Sequence, residues 1–564
     1  MKKKLLYIII SIFVVIGVST VLLRSNTHTA PLNGLEESRK ASIEKFQNTF
    51  CGLNTELNSN EFITEYKLPA TCEMPLGIAV TDGKVWYVST ENGTLGAYNI
   101  QQNSFAKEVP IPIWKSRLNH LDFSQVWAIK PDGKGNIWFT DEKQNAVWKY
   151  TQSSQTFEMY KVPSTPKAFD TTYPVSLGFD SNGNIYFVGI RSTSLWFGEV
   201  TKMRNGTSDG ISAIPMPIDK FSGIDPTLIS TGSLAVDNNR NAVWISMLAF
   251  QKKGEILRYD LSTKTFKIFD MPEELASPVG IVVDDSGNLW ITDHGTSMFY
   301  KLDASTGNIT KFVTSKASPR IFGIGDGGGR GNSSNSNSGL NINDNDTPAG
   351  AYTLPYWIQK SGDGSLWFNE HTGNKIARFD PANNTLIEYW IPTQNKLFGM
   401  CQNNNDNDNA ASKSNNQKCG IANALQFSVG QNKDDSNQVW FTEWSENKIG
   451  KVYVQKQLPF QISTPMKQVA VKRGESVEVK VNIDTLANQR IHMIAAGTFT
   501  PTGDLGNSTG SFSEESFSLT AGNPKQISFI FTPSSDLKVG LYTLMIGAEN
   551  NDVSYLKAVR INVT

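Results

Sequence analysis

A single pattern recurs along most of this chain and limits what it can fold into. A strand opening near proline or glycine is followed by an Asp-Gly or Asn-Gly turn and then by a strand carrying an aromatic residue. It occurs as PLGIAVTDGKVWYVS, QVWAIKPDGKGNIWFTDE, PVSLGFDSNGNIYFVG, GSLAVDNNRNAVWISM, PVGIVVDDSGNLWITDH, LPYWIQKSGDGSLWFNEH and LQFSVGQNKDDSNQVWFTEW. The aromatic anchors are Trp86, Trp138, Tyr186, Trp244, Trp290, Trp367 and Trp440. Period-2 alternation bounded by turn residues specifies strands, and the two-residue punctuation specifies hairpins. Most copies continue into a third strand (AVWKY, EILRYD, KIARFD, KIGKV) and a fourth ending near proline (FEMYKVP, FKIFDMP, LIEYWIP). A four-stranded antiparallel unit cannot bury both faces alone, and repetition around an axis solves that problem.

The expected fold class is therefore all-β: a seven-bladed β-propeller over residues 61–458. The last unit ends at KIGKVYVQKQLP without a fourth strand, and EFITEYKLP near the start has that strand's pattern. Residues 61–69 are expected to close the last blade, which removes the sheet edges that invite aggregation. After Pro459 the blade signature stops. VAVKRGESVEVKVNI, KQISFIFTP, LYTLMIGAEN and YLKAVRINV are alternating strands, and residues 459–564 are expected to form an immunoglobulin-like (Ig-like) β-sandwich.

At the N-terminus, MKKK precedes the apolar run LLYIIISIFVVIGVSTVLL, which ends before Arg24. The run is long enough for a transmembrane helix, and Lys2, Lys3 and Lys4 place the body outside the cytoplasm. A cleaved signal ending at Ala30 is the alternative, with His28 a poor match at its −3 position. Residues 1–30 are thus assigned to a cytoplasmic stub and membrane anchor, and 31–60 to a stalk. The expected location is the cell membrane, single-pass, with the body extracytoplasmic. Its expected partners are the membrane and an extracellular ligand or surface protein.

Four cysteines suit an oxidising compartment, and proximity favours the disulfides Cys51–Cys72 and Cys401–Cys419. Glycosylation sequons at Asn92, Asn205, Asn308, Asn332, Asn345, Asn383, Asn507 and Asn562 point the same way. With 52 Lys and Arg against 53 Asp and Glu, the chain lacks the basic excess of a nucleic-acid binder.

Propeller geometry locates a site before any motif does. The loop after the second strand of each blade and the link between blades share one face, the mouth. That face receives Asp141 and Glu142, Asp293 and His294, Glu370 and His371, and Glu443 and Trp444. His120 lies in an interblade link, and the Asn-rich insertions at 326–346 and 401–419 overhang the same side. Two readings follow. In the functional one, Glu370, Glu443 and Asp293 hold Mg²⁺ (or Ca²⁺), His294 or His371 is a general acid or base, and His120, Asp141, Glu142 and Trp444 contact a ligand. In the structural one, the acid is a repeat element that pairs with the next strand's cation, Glu370 with Lys375 or Arg378 and Glu443 with Lys448.

The signature PxGI…DG.LWFTE…NKIGR resembles virginiamycin B lyase, a streptogramin lyase family of seven-bladed propellers. PVGIVVDDSGNLWITDH, GSLWFNEHTGNKIARFD and QVWFTEWSENKIGKV carry the resemblance, which covers about Phe62–Leu458. It implies a carbon–oxygen lyase with Mg²⁺ and histidines in PHxI motifs. The matching positions here are Leu76, Val175, Val279 and Tyr356, none of them histidine, and Met74, Tyr173, Ser277 and Leu354 stand where a metal-binding Glu would precede the proline. The family's catalytic set is therefore not matched. The expected function is ligand or partner binding at the mouth, with a Mg²⁺-dependent carbon–oxygen lyase and a metal-dependent lactonase or other hydrolase as alternatives.

Overall fold

The computed structural model describes residues 40–564 except 42–43, 46, 53–55, 115–124, 164–171, 222–228, 250–252, 319–350, 399–418, 432–434 and 436. Seven antiparallel units carry the repeat, each running from an inner to an outer strand; the outer edge of the first is split into Ser104–Phe105 and Val109–Pro110. The sixth blade shows the plan, with strands Pro355–Lys360, Leu366–Glu370, Lys375–Asp380 and Thr385–Trp390. The seventh has only three consecutive strands of its own, Gln426–Val429, Gln438–Glu443 and Lys448–Tyr453. Its fourth is Ile63–Lys67, paired antiparallel so that Ile63 faces Val452 and Lys67 faces Lys448. The closure expected from EFITEYKLP is present, and it joins the two ends of the ring.

Turn chemistry explains why the repeat folds locally. In the second blade Asp132 accepts the backbone N–H groups of Lys134 and Asn136 at 2.8 and 3.2 Å, and its other oxygen accepts Trp138 Nε1–H at 3.1 Å. Asp284 repeats this in the fifth blade, taking Asn288 N–H and Trp290 Nε1–H at 2.9 Å each. One carboxylate fixes the hairpin and aims the anchor indole, so these turns are structural devices. Trp138, Trp244, Trp290 and Trp440 are each no more than 1% exposed, wedged between blades. Burying rings of that size is the main source of blade-to-blade cohesion.

The inner strands share a second local feature. Pairing with the second strand slips near their first residues in five blades, between Pro75 and Ile78, Pro174 and Ser176, Thr231 and Leu234, Pro278 and Ile281, and Pro355 and Ile358. These are β-bulges, and each adds a residue that re-aims its neighbours' side chains. They lie at the mouth end of the strands.

The C-terminal residues form two sheets. One is ordered Phe460–Ser463, Val477–Thr485, Lys525–Thr532, Thr509–Phe512. The other runs Ser516–Leu519, Gln489–Gly497, Gly540–Glu549, Val553–Val563, and it does not stop there. Val553–Lys557 pairs with Thr385–Tyr389, the outer strand of the sixth blade, and with Gln468–Val471 lying parallel beside Arg560–Val563 this makes one continuous nine-stranded sheet. The sequence reading treated residues 459–564 as a separate module and did not anticipate this fusion. A strand edge leaves no side-chain signature in its own sequence. Trp390 Nε1–H donates to Ser554 Oγ at 3.2 Å across the seam. On the mouth side, Ser297 N–H donates to Pro501 O at 2.8 Å.

No helix among the described residues is long and apolar enough to cross a membrane, and the apolar run before Arg24 lies outside the described residues. Helical turns occur within residues 40–50, part of the expected stalk. This segment does not stand clear of the propeller. Phe50 packs on Trp444 and Phe398 with ring centroids 5.2 and 5.8 Å apart. The Cys51–Cys72 disulfide ties the segment to the link that follows the closing strand. Cys419 is also disulfide-bonded, and its expected partner Cys401 lies outside the described residues.

Candidate functional site

The acids that follow the second strands are held within the blades. Asp293 opposes Pro278 in the bulge register and accepts four hydrogen bonds, from the backbones of Ala276, Ser277 and Gly295 and from Thr296 Oγ1, at 2.7 to 3.0 Å. It is fully buried, and desolvation raises its pKa despite those donors. Asp141 serves in the same way in the second blade, accepting the indole N–H groups of Trp114 and Trp148 at 2.9 and 3.0 Å.

Glu370 lies 3.5 Å from Lys375 Nζ, and the same lysine reaches Glu388 at 3.1 Å; all three side chains are buried. Ser315 donates its backbone N–H to Glu388 at 2.8 Å. Burial and the Glu388 charge push the Glu370 pKa well up. The seventh blade repeats the arrangement. Lys448 is 3.9 Å from Glu443 and 2.8 Å from Glu65, which comes from the closing strand. Thr393 takes the part of Ser315, donating N–H and Oγ–H to Glu65 at 3.0 and 2.7 Å.

The contacts of Glu370 and Glu443 are those of the structural reading, an acid beside the lysine of the next strand. Two of the acids face a buried lysine of their own blade, and the third is saturated by backbone donors. Among the described residues no group of three or more His, Cys, Asp and Glu side chains could hold a metal ion. Among the described residues, Asp293, Glu370 and Glu443 do not converge on a site for Mg²⁺ or Ca²⁺.

Trp444 is 1% exposed beneath Phe50, so it does not offer the ligand-contacting face expected of it. Glu142 is half-buried. Desolvation pushes its pKa up to about 7 against the opposing charge of Arg191, with Asp141 adding to the rise. His120 lies outside the described residues.

The histidines behave differently from the acids. His294 and His371, from adjacent blades, meet with His294 Nε2 and His371 Nδ1 3.2 Å apart. His371 Nε2 lies 2.9 Å from Asn423 Oδ1, in the link between the sixth and seventh blades. These contacts fix the proton order. With the Asn423 oxygen facing it, His371 carries its proton on Nε2 and accepts at Nδ1. His294 then donates from Nε2, and its Nδ1 keeps a lone pair with no hydrogen-bond partner among the described residues. Both rings are buried, 4% and 8% exposed. Desolvation lowers both pKa values, that of His294 further because of the neighbouring imidazole. The pair is neutral near pH 7.

His294 also stacks on Tyr356, with centroids 4.0 Å apart and planes inclined by 27°. Tyr356 occupies the bulge position where the PHxI pattern would place histidine. Trp127, Trp357 and Asn423 complete the cluster, and none of the three was singled out from sequence. A usable signal existed for two of them: in PYWI and QVWA, bulky aromatics stand at the strand start where other blades carry Leu, Val or Gly.

Seven sheets closed through the N-terminal strand, with a buried histidine–aromatic cluster at one end of the inner strands, define a seven-bladed β-propeller. No family model matches the chain, and no curated protein matches it. Among solved structures it is similar to a selenomethionine-substituted virginiamycin B lyase from Staphylococcus aureus, at 19% identity and TM-score 0.47, covering 70% of this chain and 99% of that one. A streptogramin B lyase structure gives 19% identity and TM-score 0.47, covering 69% and 97%. Regucalcin from Agrobacterium tumefaciens, a calcium-binding protein, gives 9% identity and TM-score 0.33, covering 58% and 90%.

Proposed function

We propose that this chain is a cell-surface β-propeller protein that binds a ligand or partner at the propeller mouth, between the fifth, sixth and seventh blades. The observation that carries the reading is the His294–His371 pair. Two buried neutral imidazoles in series, ending in an acceptor with no hydrogen-bond partner among the described residues, are not a repeat element. An open acceptor on a ring otherwise enclosed by aromatic side chains is a natural contact for a ligand at the mouth. The burial of Glu370 and Glu443 beside lysines of their own blades favours recognition over metal-dependent lyase or lactonase chemistry. The apolar run before Arg24 supports anchoring, with an extracytoplasmic body and the Ig-like residues 459–564 as a spacer.

A second reading has one observation behind it. The lone pair of His294 Nδ1 suits a general base, so a carbon–oxygen lyase working without the PHxI histidines is the alternative.

The test is a thermal-shift screen of esters, lactones and peptides on the full chain and on His294→Ala. Stabilisation by a compound that disappears in the variant supports binding at the mouth, and turnover of that compound would shift the assignment to the enzyme. Stabilisation equal in both proteins, or none, would refute a site at His294. Surface biotinylation of intact cells tests the location separately.

A further inference from the structure

The floor of the mouth carries a more specific message, which rests on the reading of that mouth as a binding site. Trp127 belongs to the second blade, Tyr356 and Trp357 to the sixth. These blades share no edge, yet the Trp127 ring lies 6.2 Å from each of the other two. Such contacts are possible only across the propeller axis, so aromatic rings plug the central tunnel at this level. The bulge at Pro355–Ile358 permits it by re-aiming the start of the inner strand.

The indole N–H groups explain what the plug is for. Three of the anchor indoles are satisfied, Trp138 by Asp132, Trp290 by Asp284 and Trp440 by Gln438, as is Trp196 by Ser192. Trp127 and Trp357 are 3% and 9% exposed, and neither Nε1–H has a partner among the described residues. Trp86 and Trp244 also lack one, but they lie off the axis with Lys84 and Arg258 over their rings. An unmet buried donor costs about 1–3 kcal/mol, so two in one cluster, beside the lone pair of His294, need an account.

We infer that the mouth floor recognises a neutral, flat ligand through a carbonyl oxygen, with Trp127 and Trp357 Nε1–H as donors and His294 Nδ1 as acceptor for a donor group when the ligand has one. Charged ligands are disfavoured because no described counter-charge is free there: Glu370 and Glu443 are lysine-bound and Asp293 is saturated. The ring spacings, 5.3 Å between Tyr356 and Trp357 and 6.2 Å to Trp127, are too close for a cage around a quaternary ammonium. A flat ligand would stack on Tyr356, the one of the three rings that is only half-buried.

The experiment uses the full chain with ¹⁵N-labelled tryptophan indoles and two probes. Coumarin is a flat neutral lactone, and naphthalene has the same outline with no acceptor. Coumarin should move the Nε1–H resonances of Trp127 and Trp357, identified by their loss in Trp127→Phe and Trp357→Phe. It should bind about fivefold more tightly than naphthalene, the worth of roughly one net hydrogen bond. Each variant should lose that preference while keeping its naphthalene affinity. Indole resonances unmoved by coumarin, or equal affinity for both probes, would overturn the inference. If coumarin moves the His294 imidazole and not the indoles, the mouth binds and only this donor assignment fails. If neither responds and the His294 screen is also blank, the binding reading fails with it.

Discussion

Glu65, on the strand that closes the ring, lies 2.8 Å from Lys448 on the third strand of the seventh blade, 383 residues away in sequence. The sixth blade contains the same pair within consecutive strands, Glu388 and Lys375 at 3.1 Å. The closing strand therefore supplies the carboxylate that every component of this motif expects from an outer strand, and ring closure is electrostatic as well as hydrogen-bonded.

Removing one partner of a buried ion pair leaves an uncompensated charge, which costs about 3–5 kcal/mol. Glu65→Ala should destabilise the protein by that amount in chemical denaturation and make the segment before Phe62 sensitive to limited protease. Glu65→Leu combined with Lys448→Met should recover most of the loss. If the single variant costs less than about 1 kcal/mol, the pair does not fasten the ring.

His294 and His371 predict an acid-side dependence. Their folded pKa values lie below the ordinary histidine value of 6.5, so the unfolded chain takes up protons first as pH falls. Their contribution is complete above pH 6.5 and is lost progressively as pH falls from there through the folded values. Melting temperature should drop over that window, and His294→Gln should flatten the drop. Imidazole NMR should show both rings neutral at pH 7, and a charged ring there would contradict the proton order derived above.

Glu142 predicts the opposite slope. Its pKa, raised to about 7 from 4.5, means that the folded protein holds a proton the unfolded chain has released. Stability should fall as pH rises from about 4.5 through 7 and level off above. Glu142→Gln should remove that component, seen as a smaller difference in melting temperature between pH 5 and pH 8. A variant with an unchanged profile would place the titration elsewhere.

The fused sheet makes a prediction about truncation. Ending the chain at Leu458 would strip Val553–Lys557 from Thr385–Tyr389 and expose the outer edge of the sixth blade. Unpaired strand edges template association. The truncated chain should form concentration-dependent dimers or aggregates in sedimentation. A clean monomer would show that this edge is protected by other means.

The blades were legible because their determinants are local. The turn aspartates, the Trp anchors and the alternation around them can be read from one stretch at a time, and the missing fourth strand of the last blade was visible as a deficit matched by EFITEYKLP. The site was less legible because it is assembled across the ring. Glu370 and Glu443 carry the same local sequence cues whether they hold a metal or a lysine, and only Lys375 and Lys448 in three dimensions decide. Trp127 and Trp357 are 230 positions apart on blades that are not neighbours in the ring, so nothing in either segment announces their contact. Phe50 sits in a polar stretch that looks like a free stalk, and its burial over Trp444 follows from the Cys51–Cys72 tether.

The nine-stranded sheet that runs from the sixth blade into the C-terminal residues has a mechanical consequence. A load applied at Thr564 passes through strand Val553–Val563 directly into Thr385–Tyr389, as shear along a ladder of backbone hydrogen bonds rather than through a flexible hinge. The C-terminal sheets thus act as a stiff handle on the propeller, and anything that grips them sets the bearing of the mouth.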